Sequence, residues 1–173
     1  MIGEGKTFVL ITGRPGVGKT TLLKQFLSRY DGPVGGFYTE EVRESGVRTG
    51  FDIVTLDGRR APLARVSHRG GYRIGKYGVD VDALSQVGVA AIREAMQREA
   101  LVVVDEIGKM ELFSHAFRDA ILEALHGGKR LLGTVMLAPH PWADALKHDS
   151  KVAVIELTRE NRPQVQEAVK AWL

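Results

Sequence analysis

An α/β fold, with a mainly parallel but mixed sheet covered by helices on both faces, is predicted by three observations. Short, uniformly apolar runs such as Phe8 to Ile11 and Leu101 to Val104 alternate with segments whose apolar residues recur at helical spacing, the pattern of parallel strands buried on both sides. One stretch, Val34 to Leu56, reads instead as two strands joined by a tight turn, which adds an antiparallel hairpin. The chain has 173 residues, 44% hydrophobic and 26% charged, so one globular domain spanning residues 1–173 with a sizeable core is expected.

Thr7 to Thr12 reads as a buried strand that stops at glycine, and Lys19 to Tyr30 as a helix with Leu22, Leu23, Phe26, Leu27 and Tyr30 on one face. Asp31-Gly32-Pro33 ends that helix. Val34 to Arg43 and Gly50 to Leu56 pair across Glu44-Ser45-Gly46, and Asp57-Gly58 makes another turn before weakly signalled strands around Leu63 and Ile74. Asp80 or Asp82 caps a helix running to about Arg98. Leu101 to Asp105 is an apolar strand ending in two carboxylates, and Ser114 caps a helix from His115 to His126. Leu131 to Leu137 is a strand, Trp142 to Lys147 a short helix, Val152 to Leu157 a strand, and Thr158 caps a last helix to Trp172.

The absence of cysteine excludes a disulfide scaffold, a thiol nucleophile and Cys-ligated metal, and fits a reducing, cytoplasmic setting. No apolar run approaches the ~18 residues of a membrane span or the core of a signal peptide, so a soluble intracellular domain without a membrane partner is expected. The net charge of +3 suits an anionic small ligand as well as it suits nucleic acid. From Gly58 to Val79 there are Arg59, Arg60, Arg65, Arg69, Arg73 and Lys76 and no acid. No RNA-binding signature accompanies them, so nucleic acid stays open as a partner but is not favoured. The histidines have no metal-ligand spacing.

Chemistry enters with Gly13-Arg14-Pro15-Gly16-Val17-Gly18-Lys19-Thr20, which fits G-x-x-x-x-G-K-[ST] between a strand and a helix, the context of a P-loop NTPase fold. The three glycines let backbone N–H groups turn toward phosphate oxygens, and the helix start adds its partial positive charge. Lys19 can reach the β- and γ-phosphates and the Thr20 hydroxyl can bind Mg²⁺; Thr21 adjoins them in the first helical turn. Asp105 stands at a strand end where it can hold Mg²⁺ through water. Where the chain leaves the sheet Glu106 can turn the same way, to orient or deprotonate the attacking water. Thr134, mid-strand, is a candidate contact to the γ-phosphate or its water, with a merely β-favouring role as the alternative. Arg14, Arg43, Arg159 and Arg162 are candidates to neutralise transition-state charge. Leu146-Lys147-His148-Asp149 has leucine where a guanine reader needs asparagine, so no base reader is expected and contacts to the base should be stacking or apolar, near Arg159 to Arg162.

Several blocks resemble the cancer-related nucleoside-triphosphatase family, small stand-alone enzymes of thermophiles and animals: Gly13 to Thr20, Gly36 to Arg43, Thr49 to Gly58, Tyr77 to Asp80, Val103 to Ser114 and Thr158 to Arg162. They run in order along nearly the whole chain, and Asp105-Glu106-Ile107-Gly108-Lys109-Met110-Glu111-Leu112-Phe113-Ser114 is far more specific than the phosphate loop. No family motif falls at Ser67 to Arg73 or His140 to Asp149. The resemblance implies a RecA-like sheet between helices and Mg²⁺-dependent hydrolysis of ATP, GTP, CTP and UTP to diphosphate and phosphate with low base selectivity. By position it implies that Gly13 to Thr20 bind triphosphate and that Val104, Asp105, Glu106, Ile107 and Gly108 form a second nucleotide segment. Two rivals remain at this stage: a small-molecule kinase, which would need an acceptor pocket, and a nucleic-acid-binding module switched by nucleotide. A monomer is expected.

Overall fold

The computed structural model describes residues 1–173. Its centre is a nine-stranded sheet in the order β5-β6-β4-β3-β2-β7-β8-β1-β9. The strands are β1 (Phe8–Thr12), β2 (Val34–Glu44), β3 (Val47–Thr55), β4 (Arg60–Arg65), β5 (Arg73–Ile74), β6 (Tyr77–Val79), β7 (Leu101–Ile107), β8 (Leu131–Val135) and β9 (Val152–Glu156). Strands β9, β1, β8, β7 and β2 are mutually parallel; β3, β4, β6 and β5 extend the sheet antiparallel from β2. The mixed α/β architecture predicted from the apolar runs is therefore the one observed.

Alternation along β1 separates the two cores. Phe8 and Leu10 face one side, under α3 (Ala90–Gln97), α4 (His115–His126) and α5 (Pro141–Lys147), while Val9 and Ile11 face α1 (Lys19–Leu27) and α6 (Arg162–Trp172). Every residue of β1 and of β8 is buried, which is why these strands read as unbroken apolar runs.

Several boundaries differ from the sequence reading for local reasons. The hairpin ladder continues to Val47, because Ser45 (φ 50°) and Gly46 (φ 79°) form a two-residue turn with left-handed backbone at both positions. Such a turn matches strand twist and keeps pairing to its tip; the polar residues Arg48 and Thr49 hide that strand from a search for apolar alternation. α1 stops at Leu27, where the Ser28 hydroxyl bonds back to the Gln25 carbonyl (2.9 Å). Asp80, not Asp82, is the cap, accepting from the Ala83 N–H at 2.9 Å. The helix it opens is not uniform: α2 (Val81–Ala83) passes through a π-helical turn, Leu84–Val89, before α3. Ser114 caps α4 as expected, accepting from Phe117 N–H at 3.0 Å. Thr158 does not cap α6. It exchanges hydrogen bonds with Asn161 (2.8 and 3.2 Å), and the helix starts at Arg162 with Pro163 in its first turn, where proline has no N–H to lose.

Candidate functional site

The Gly13–Thr20 loop joins the C-terminal end of β1 to α1. The first intrahelical bond of α1 runs from Leu22 N–H to the Gly18 carbonyl at 3.0 Å, so the N–H groups of Lys19, Thr20 and Thr21 remain free at the helix start, the arrangement that receives an anion. Gly18 has φ 97° and no side-chain cap, and a Cβ there would run into the Arg162 guanidinium; only glycine fits both constraints. The Lys19 ammonium lies back over the loop, donating to the carbonyls of Gly13 (2.9 Å) and Arg14 (3.3 Å). Arg162 donates to the carbonyls of Val17 (3.0 Å) and Gly18 (3.3 Å). It thus braces the loop from α6 through hydrogen bonds to backbone.

Across from the loop, β7 carries the carboxylates. The chain does not leave the sheet after Asp105, as the sequence suggested; β7 continues to Ile107. Between Val104, paired with Gly133, and Ile107, paired with Val135, β7 has one residue more than β8. This bulge is what re-aims Asp105 and Glu106, since successive residues of a regular strand would face opposite sides. Both side chains line one cavity with Thr20, while Val104 and Ile107 are wholly buried. Of the second segment, only Asp105, Glu106 and Gly108 therefore reach the cavity.

Asp105 is nearly inaccessible (3% exposed) and divides its two oxygens. Oδ1 accepts from the Thr134 hydroxyl at 2.6 Å, whereas Oδ2 is buried without a protein partner. Thr134 has no exposure at all and its hydroxyl is engaged beneath Asp105. In this structure that hydroxyl orients the Asp105 carboxylate. A buried carboxylate oxygen without a partner, in a cavity that Thr20 also lines, is a hard-oxygen donor set that fits a hydrated Mg²⁺.

Glu106 is half-buried, and burial raises its carboxyl above the ordinary range, with the Lys19 charge pulling the other way and Asp105 adding to the rise. Next to it stands Glu111, in a 3₁₀ turn (Glu111–Phe113) that the sequence reading left out. Glu111 is 5% exposed, and burial, reinforced by the neighbouring Glu106 charge, pushes it up to about 8. The two meet around Gly108: a Cβ on that glycine would lie 2.8 Å from Glu106 Oε1 and 3.1 Å from Glu111 Oε2. Glu111 stood in the Asp105–Ser114 block of the family resemblance without a role, and nothing in its neighbours Met110 and Leu112 tells a buried carboxyl from a surface one.

A larger cavity of about 560 Å³ lies on the other side of the loop, between Arg14 to Val17 and the β9–α6 connection, including Thr158 and Arg159. Arg43 is at the hairpin tip, paired with Glu41 and the Gly46 carbonyl. The basic segment is less bare than its sequence implies. Arg59 pairs with Asp57 and Glu94, Arg60 with Glu40 and Asp52, and Arg65 with Asp52. No helix is long and apolar enough to cross a membrane.

The chain matches the model of a family described as NTPase over residues 8–170. It is 46% identical over 154 residues to the nucleoside-triphosphatase THEP1 of Thermotoga sp. (strain RQ2), covering 89% of this chain and 88% of that protein. It is 41% identical over 170 residues to the cancer-related nucleoside-triphosphatase of Homo sapiens, covering 89% and 90% respectively. The crystal structure of THEP1 from Aquifex aeolicus superposes with a TM-score of 0.86 at 34% identity, over 96% of this chain and 98% of that one.

Proposed function

The chain belongs to the NTPase family, and from that premise we propose that it hydrolyses the β–γ anhydride of ATP, GTP, CTP and UTP to diphosphate and phosphate, with Mg²⁺ and little base selectivity. One observation carries the reading: the β7 bulge brings Asp105 and Glu106 into one cavity with Thr20, at the mouth of a glycine loop closed by Lys19. Gly13 to Thr21 bind the triphosphate through backbone N–H groups and the Lys19 ammonium, which exchanges its bonds to Gly13 and Arg14 for phosphate oxygens. Thr20 and Asp105 would hold Mg²⁺, which when bound neutralises charge on the β- and γ-phosphates. Thr134 fixes Asp105 by its hydroxyl. Glu106 orients the attacking water and takes its proton, and its raised affinity for a proton suits that task. Arg162 acts at one remove, holding the loop carbonyls so that the N–H groups keep their inward direction.

The base has its seat in the cavity beside Arg14 and Arg159, where two guanidinium groups offer stacking and Val17 and Leu157 offer apolar contact. Its charged lining residues are exposed, whereas strong selection needs buried donors and acceptors matched to one base edge. The whole chain acts as one domain, a cytoplasmic monomer. Three arginines of the basic segment are already paired, which weighs against nucleic acid as the partner.

The test is phosphate release from each of the four triphosphates, with Mg²⁺ and with excess EDTA, alongside Lys19→Ala. The expected result is kcat/KM values within about tenfold of each other, under ~1.4 kcal/mol, no turnover in EDTA, and loss of both binding and turnover in Lys19→Ala. A preference above about a hundredfold for one base, or unchanged activity in EDTA, would overturn the respective part.

A further inference from the structure

The cavity beside Glu106 measures about 280 Å³ and runs on past the Thr20 and Asp105 end, where Mg²⁺ would sit. It shares only Thr20 with the phosphate loop and extends toward the antiparallel part of the sheet, reaching Thr39 on β2, Phe51 on β3 and Leu63 on β4. Its wall is two-faced. Phe51, Leu63 and Met110 supply apolar surface, while Glu106 and Glu111 converge on Gly108 at the polar end.

Two irregularities of the sheet aim side chains into this one space. The β7 bulge presents Asp105 and Glu106, and a second bulge, where β4 has one residue more than β3 between Asp52↔Pro62 and Phe51↔Ala64, sets Leu63. Bulges are over-represented next to active sites, where they re-aim side chains. A water nucleophile gains nothing from an apolar wall, whereas a carbon chain carrying a hydroxyl is held by that wall and oriented by the carboxyl groups. Glu111 has no part in hydrolysis as described above. With its carboxyl pushed up to about 8 it keeps a proton at neutral pH and can both donate and accept a hydrogen bond.

We propose that this cavity is an acceptor site, and that the protein transfers the γ-phosphoryl group of a nucleoside triphosphate to the hydroxyl of a small, partly apolar alcohol in competition with water. The alcohol oxygen forms the new bond to the γ-phosphorus. The bond from that phosphorus to the β–γ bridging oxygen breaks, and the diphosphate leaves with its electron pair. The hydroxyl proton passes to the Glu106 carboxylate. The products are a nucleoside diphosphate and a phosphate monoester, where water would give inorganic phosphate. The inference rests on the role of Glu106 proposed above.

The experiment follows Mg²⁺-ATP turnover in buffer containing 1,4-butanediol at fixed mole fraction, with ³¹P NMR separating butanediol monophosphate from inorganic phosphate. The expected monoester share exceeds the mole fraction of the diol by more than about tenfold, as bound alcohol outcompetes bulk water. Thr39→Leu, which fills the cavity from β2, should bring that share down to the mole fraction while phosphate release continues, the continuing release also reporting an intact fold. A monoester share in the unaltered protein no greater than the mole fraction, with hydrolysis intact, overturns the acceptor site and leaves the hydrolase reading standing. Undiminished ADP formation by Glu106→Gln would instead remove the base on which both depend.

Discussion

Strands β9, β1, β8, β7 and β2 lie parallel, and the three central ones, β1, β8 and β7, are apolar and buried for nearly their whole length. Strands β3 to β6 are held differently. Their outer residues are tied by Arg48–Glu41, Arg59–Glu94, Arg60–Glu40 and Arg65–Asp52, and β5 and β6 are only two and three residues long. The parallel region carries the residues proposed above for phosphate, metal and water: the loop after β1, the carboxylates of β7 and, beneath Asp105, the threonine of β8. The antiparallel region contributes one wall of the cavity beside Glu106. A division of labour follows, in which changes on the parallel side alter turnover and changes on the antiparallel side alter stability and the space around the nucleophile.

The sharpest way to break that division is Glu106→Gln. The variant keeps the shape of the side chain and loses the base, so Mg²⁺-nucleotide should still bind while kcat drops by roughly 10²–10⁴. Titration calorimetry beside phosphate release measures both. Loss of binding in step with turnover would mean that Glu106 holds nucleotide or metal instead of moving a proton.

Next in size is Glu111→Gln, which acts where the two regions meet. The Glu111 carboxyl lies at about 8 in the folded chain against 4.5 for an unburied glutamate. Between those values the folded state holds a proton that the unfolded state has released. Stability from this group is therefore fully present below the lower value and is lost as pH rises through the higher one. The slope approaches 1.4 kcal/mol per pH unit at most. Denaturant melts of the nucleotide-free protein from pH 5 to 8 should show this decline, and Glu111→Gln should flatten it. An unchanged slope in the variant would assign the decline to another group.

Thr134→Val removes the hydroxyl beneath Asp105 and keeps the shape. A hydrogen bond to a charged group is worth about 1.5–3 kcal/mol, so the nucleotide-free variant should melt several degrees lower and should also need more Mg²⁺ for half-maximal activity. A Mg²⁺ dependence identical to that of the unaltered protein would reduce Thr134 to a strand residue.

These residues were not equally legible in the sequence. The Gly13–Thr20 loop is local: its spacing, its flanking strand and its helix are contiguous, and the structure sets them as the spacing implied. Asp105 and Glu106 were found as residues, but the reason they share a face was not, because a bulge depends on the register of β7 against β8. The Thr134–Asp105 bond spans two strands and the Arg162 brace spans most of the chain, so no spacing rule reaches either. In the antiparallel region the short strands carry polar residues on view, and the acids that neutralise its arginines come from β2, β3, α3 and the adjoining turn residue Asp57, all outside the run that looked purely basic. Sequence proximity describes charge well only where partners are local.

The smallest effect tests the same comparison from the antiparallel side. Arg59 reaches from the start of β4 to Glu94 on α3 at 2.7 Å and to Asp57 at 3.1 Å, with its side chain 40% exposed. Exposure of that order screens the pair, and both long side chains lose rotamer freedom in making it, so exposed ion pairs contribute about 0.2–1 kcal/mol. Arg59→Ala should therefore lower stability by less than about 1 kcal/mol, and the loss should fade in high salt as the charges are screened. Because Arg59 touches neither cavity, phosphate release under saturating nucleotide should stay as it is. Raising the salt separates this from a packing effect: a deficit that persists undiminished would come from the buried stem of the arginine rather than its charge. A fall in turnover at unchanged stability would break the division itself, for it would place an arginine of the antiparallel region in the path of phosphoryl transfer.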